Sequence, residues 1–110
     1  MANSFLNKKV DLANTDLTTL YTVPAEATGL VKSILVSNDD TTNDCHITVT
    51  LVNSSGTIFS LFKEENIEDN TTKELLSQPL VVEESEAIKV QAQAGDDLHV
   101  VLSVLEITRD

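Results

Sequence analysis

Every ten residues or so this chain meets a cluster of turn-forming residues, and between the clusters apolar and polar side chains alternate with a period of two. In His46-Ile47-Thr48-Val49-Thr50-Leu51-Val52, Ile47, Val49 and Leu51 share one face of an extended strand, while His46, Thr48 and Thr50 take the other. Ala87 to Ala92 repeats the pattern, with Ile88, Val90 and Ala92 inward and Lys89 and Gln91 outward. Strands with one dry side must be stacked in layers, so the pattern predicts an all-β chain without a long helix. With 110 residues, it has the length for one core.

Further strands follow from the same signals. Leu17 to Val23 is β-rich and closed by Pro24, which cannot donate to a ladder. Gly29 to Ser37 runs into the polar cluster Asn38 to Asp44, whose short side chains bond their own backbone and favour turns. Asn53-Ser54-Ser55-Gly56 joins 46–52 to Thr57 to Lys63 as the clearest hairpin in the chain. Glu64 to Thr72 reads as an exposed connection with room for one helical turn. Lys73 to Leu76 and Leu80 to Val82 flank Pro79 and are short, as edge or crossover strands are. Gly95-Asp96-Asp97 turns the chain into a last strand, Leu98 to Thr108. About eight strands at this spacing predict an antiparallel β-sandwich, jelly-roll or Ig-like, over residues 11–110, preceded by an N-terminal arm at 1–10.

The chemistry of sites is thinly supplied. Formal net charge is −11, from 18 acidic and 7 basic residues, and the bases form no stripe, which argues against nucleic acid and anionic membrane surfaces as partners. No stretch approaches the roughly 20 apolar residues of a membrane span, and the first nine residues hold no apolar core of a secretion leader. The lone Cys45 cannot form an internal disulfide, and Asn53-Ser54-Ser55 and Asn70-Thr71-Thr72 read as turns rather than glycosylation sites. His46, His99 and Cys45 lack the spacing that presets a zinc site. No nucleophile elbow accompanies Cys45, and Gly29, Gly56 and Gly95 all read as turn glycines, so no phosphate-cradling or oxyanion loop is expected. The acidic loops 39–44 and Asp96/Asp97 offer oxygen ligands of the kind calcium takes, without the EF-hand order. Neither enzymatic activity nor a cofactor or resident metal is expected.

The last strand breaks the one-dry-side rule. Leu98, Val100, Leu102 and Val104 line one face, and Val101, Leu105 and Ile107 line the other. A two-sheet sandwich buries only inner faces, so the second row needs a cover; burying three such side chains is worth on the order of 5 kcal/mol. A homo-oligomeric contact along this strand, in a dimer or trimer, supplies one. The arm, with Phe5 and Leu6 and the adjacent Lys8 and Lys9 on an otherwise anionic body, is a candidate for docking on a neighbouring subunit. The candidate protein interface is therefore Phe5, Leu6, Lys8, Lys9, Val101, Leu105 and Ile107.

Leu20-Tyr21-Thr22-Val23-Pro24-Ala25, Val31 to Asn38, Ile47 to Leu51, Gln78-Pro79-Leu80-Val81-Val82-Glu83 and Asp97 to Thr108 resemble small virion proteins of tailed bacteriophages over most of the chain. Glu84-Ser85-Glu86 departs from the Gly-Asp turn that such sequences often carry. The resemblance implies a structural protein of the particle, foremost a capsid decoration or cement protein made in the host cytoplasm and bound to the major capsid protein or other virion proteins. A tail, neck or fibre-associated adaptor, or a receptor- or carbohydrate-binding module, is the alternative. The latter needs an exposed aromatic patch, for which Phe5, Tyr21, Phe59 and Phe62 are the candidates.

Overall fold

The computed structural model describes residues 2–95 and 97–109. In them lie nine strands: β1 Ala2–Leu12, β2 Thr18–Thr22, β3 Ala27–Asn38, β4 Cys45–Val52, β5 Ile58–Ile67, β6 Thr72–Glu74, β7 Leu80–Val82, β8 Ala87–Ala92 and β9 Leu98–Thr108. All pairings are antiparallel. One sheet runs β1-β9-β3, with β6 and β7 one after the other along the far edge of β3; the second runs β2-β8-β4-β5.

The order of pairing explains the architecture. β4 and β5 form the tip of a long hairpin whose arms pair outward in sequence, β3 with β6 and β7, β2 with β8, and β1 with β9. Rolling that hairpin brings β9 against β3 and β8 against β4, which divides it into two facing sheets. This is the jelly-roll form of the β-sandwich.

Each strand buries the face that the alternation assigns to it. Ile47 and Val49, Ile88 and Val90, and Leu98, Val100, Leu102 and Val104 meet in one core. In β3 the inner row is Ala27, Gly29 and Val31, then Ile34, Val36 and Asn38; a bulge between Val31 and Ser33 switches its parity, keeping Ile34 and Val36 inward and leaving Leu35 on the outer face. The tip between β4 and β5 is a tight turn in which Gly56 N–H donates to Asn53 O at 2.9 Å and Gly56 adopts φ of 89°. At Glu83 to Glu86, Ser85 takes the left-handed conformation, φ 68°, where glycine is favoured, and Glu86 N–H closes the turn on Glu83 O at 3.0 Å.

Three expectations change. Residues 2–10 form β1 together with Asp11 and Leu12, hydrogen-bonded along the whole of β9, because Leu6, Val10 and Leu12 repeat the inward period and pack on the core. Glu64 to Ile67 is strand, not helical turn: register shifts between Ile47 and Thr50 leave extra residues in β5, and the curl carries Ile67 into the core opposite Cys45. Gly29 sits inside β3 rather than at a turn, because a Cβ there would stand 3.0 Å from Cε2 and Oη of Tyr21. Tyr21 crosses the sandwich and donates its hydroxyl to Glu106 Oε1 at 2.8 Å. Burial, the hydrogen bond to Glu106 and its charge all push the Tyr21 phenol above its ordinary value.

Asn38 ties the polar end of the sandwich together. Its Nδ2 donates to Ile67 O at 2.9 Å and Asn43 O at 3.0 Å, and its Oδ1 accepts from Asp40 N–H at 2.9 Å. Nearby carboxylates are held by donors in the same way. Backbone N–H groups of Thr42 and Asn43 hold Asp40 down at about 2, and the Asn66 amide with the Asp69 N–H holds Asp44 below the usual range. Burial pushes Glu74 up, but donors from Ser33, Ile34, Leu76 and Leu75 outweigh it and leave it low. All three take up protons less readily folded than unfolded, so their contribution to stability is present above their unfolded values of 3.8 to 4.5 and is lost as pH falls below them, for Asp40 towards about 2. Urea midpoints measured from pH 6 downward are expected to drop in that window, with Asp40→Asn flattening its share; a midpoint constant to about pH 2 contradicts the assignment.

Candidate interaction surface

The outer face of the β1-β9-β3 sheet carries an apolar row. Register places Phe5 beside Leu105, Leu105 beside Leu30, and Leu30 beside Val81, a row that crosses β1, β9, β3 and β7. Its two ends stand open, Phe5 at 80% and Val81 at 57% exposure, while Leu30 and Leu105 are half-buried between them. Four positions further along β9, a second row runs Lys9, Val101, Leu35 and Glu74 from β1 to β6. Beyond it, His99 Nε2 lies 3.3 Å from Asp11 Oδ1. Between Lys9, Asp11, His99 and Val101 the face dips into a shallow depression of about 290 Å³.

Of the residues expected at an interface, Phe5, Lys9, Val101, Leu105 and Ile107 are brought together on this face. Leu6 and Lys8 belong to the other side of β1, opposite Val104 and Leu102. Leu6 packs against the core, whereas Lys8 stays exposed at the sheet edge, a charge on the inner side that discourages edge-to-edge pairing with other chains. Leu30, Leu35 and Val81 complete the face and were missed. Their signal was the same as that of β9, since Leu30 and Leu35 lie opposite Val31, Ile34 and Val36 in a strand apolar on both sides.

On the other sheet β5 exposes Ile58 and Phe59 just after the hairpin turn, one on each face of the strand. Phe59 and Ile58 pair with Leu51 and Val52 at the end of β4.

The other chemical candidates do not assemble. Cys45 is buried, its Sγ directed at backbone carbonyls of His46 and Ala94. His46 lines an open polar depression of about 420 Å³ with Thr15, Thr48, Lys63, Glu64, Gln91 and Gln93, and its N–H is taken by Gln93 Oε1 at 3.1 Å. His99 is on the opposite sheet. Among the described residues no three His, Cys, Asp or Glu side chains converge as metal ligands. Of the calcium candidates, Asp40 and Asp44 are engaged by neighbouring donors, and Asp96 lies outside the described residues. Of the four aromatic candidates for a sugar platform, Tyr21 is buried in the core and Phe62 is half-buried; Phe5 and Phe59 are on different sheets.

No family model matches the chain, and no curated protein matches it. Among solved structures, the fold is similar to the acidic stable capsid structure of Helicobacter pylori bacteriophage KHP30, with a TM-score of 0.54 and 10% identity over 100% of this chain and 90% of that one. A pentameric capsid protein isolated from metagenomic phage sequences aligns with a TM-score of 0.46 and 12% identity over 94% of this chain and 60% of that one. A chain of infectious bursal disease virus, Gx strain, gives 0.46 and 14% identity, covering 96% and 32%. The first of these is a phage capsid structure, and its likeness to this chain is one of fold.

Proposed function

We propose that this chain is a non-enzymatic structural protein of a phage particle, a decoration or cement protein that binds the outer shell and stabilises it. The observation that carries the reading is exposed apolar side chains at two separate places, Phe5, Leu35 and Val81 on the outer face of one sheet and Ile58 and Phe59 at the β4-β5 tip of the other. A protein that holds neighbours together has to grip in at least two places, and patches of this kind mark protein contacts. A whole-chain jelly-roll likeness to a phage capsid structure supports the same role. The partners on this reading are the major capsid protein or other virion proteins and further copies of the chain, in the virion, after synthesis in the host cytoplasm.

Quantitative mass spectrometry of purified particles tests the location. Hundreds of copies per particle are expected, together with particles that lose their genome at lower temperature when the protein is absent. A handful of copies points instead to a tail, neck or fibre component, and absence from the particle overturns the reading.

A further inference from the structure

We infer that the outer face of the β1-β9-β3 sheet is covered by the same face of a second copy, related by a two-fold axis that runs parallel to the strands between β9 and β3. Such an axis keeps each row at its own height along the strands and exchanges β1 with β6 and β7, and β9 with β3. Phe5 then faces Val81 of the second copy and Leu105 faces Leu30, so the apolar row lies on itself. In the next row Val101 faces Leu35, and Lys9 faces Glu74.

The charges of the second row and the area of the face favour this occupant, with exposed Lys32 at the bulge of β3 between the two rows. The only cation of the second row stands at the β1 end and its only anion at the β6 end, so reversing the row pairs opposite charges at both margins of the contact. A two-fold axis perpendicular to the strands would instead set the apolar row on the charged one, placing Val81 against Glu74 and Phe5 against Lys9, so that neither charge meets an opposite one across the contact. Four strands spaced about 4.8 Å apart and about ten residue steps long present roughly 600 Å². Two such faces bury about 1,200 Å², at the lower bound of stable specific interfaces. The pairing is isologous, and it is read from the face alone, independently of any role on a particle.

The wild-type chain is expected to sediment as a dimer at roughly 10 µM, and Phe5→Asp to weaken association at least tenfold, with a melting temperature equal to that of wild type only in solutions dilute enough to keep both monomeric, since Phe5 is exposed in the monomer. The register is read by cross-linking. Facing positions of stacked sheets stand about 10 Å apart, within reach of a short bis-maleimide and beyond a disulfide. Phe5→Cys mixed with Val81→Cys is expected to give a cross-linked dimer containing one of each, with neither variant linking to itself beyond the wild-type background from buried Cys45. A wild-type chain that remains monomeric at about 100 µM overturns the proposal, as does linkage of Phe5→Cys to itself. A monomer that binds shells through Phe5 overturns it too, by giving the face to a different protein.

Discussion

Asn38→Ala is expected to destabilise the fold by about 3 kcal/mol and to lower the melting temperature by roughly 12 °C. Asn38 is 2% exposed, and its amide is the donor to two carbonyls and the acceptor for a third backbone group. Alanine removes all three hydrogen bonds and leaves the carbonyl of buried Ile67 without that donor, so the desolvation of the backbone is no longer offset. The loss should be accompanied by faster amide exchange at Asp40, whose N–H donates to the Asn38 side chain. Asn38→Asp separates the two halves of the effect, since a carboxylate keeps the acceptor for Asp40 and loses both donors. Thermal denaturation of the three proteins checks the order; an alanine variant within about 0.5 kcal/mol of wild type removes the structural role given to this residue.

How much of this was legible beforehand follows from which signals are local. The sandwich was, because period-two burial in 46–52, 87–92 and 98–108 names the inner face without reference to any partner. The apolar outer row of β9 was also legible, since Val101, Leu105 and Ile107 break that period in the sequence itself. β1 was not, because Lys8 interrupts its inward row between Leu6 and Val10, and only pairing with β9 shows the three as one face. The bulge in β3 had a signal that was overlooked: inner positions are odd through Val31 and even from Ile34, a change of parity an unbroken strand cannot make. The bend of β5 had none of comparable strength, for Glu64 adopts φ of 52° with no glycine to mark it, and its N–H donates to Thr48 Oγ1 at 3.1 Å, a contact made across the sheet. The assembled face needed the register of four strands: the two-sided apolar pattern of β3 carried a signal for Leu30 and Leu35, but only pairing with β9 and β7 sets them beside Leu105, Val101 and Val81.

Gly29 shows how a residue ordinarily assigned to turns acquires its reason from across the core, and Tyr21→Ala tests that reason with the largest effect expected here. Tyr21 is 3% exposed and is one long side chain reaching between sheets, so truncation should cost about 4 kcal/mol through lost burial and the cavity left behind. Tyr21→Phe, which removes only the hydroxyl bonded to Glu106, should cost about 1 kcal/mol. The discriminating measurement is the effect of Gly29→Ala in the wild-type and Tyr21→Ala backgrounds. Against the wild-type ring the new methyl meets Tyr21 Cε2 and Oη at 3.0 Å and Val23 Cγ2 at 3.3 Å, so it should destabilise by about 1 kcal/mol. In the Tyr21→Ala background the same methyl enters vacated space and restricts the unfolded chain, so it should stabilise by roughly 0.5 kcal/mol. Equilibrium denaturation of wild type, the two single variants and the double variant closes the cycle. If the sign of Gly29→Ala does not change with the residue at position 21, the ring is not what requires glycine in β3, and the inter-sheet contact loses the role that the geometry gives it.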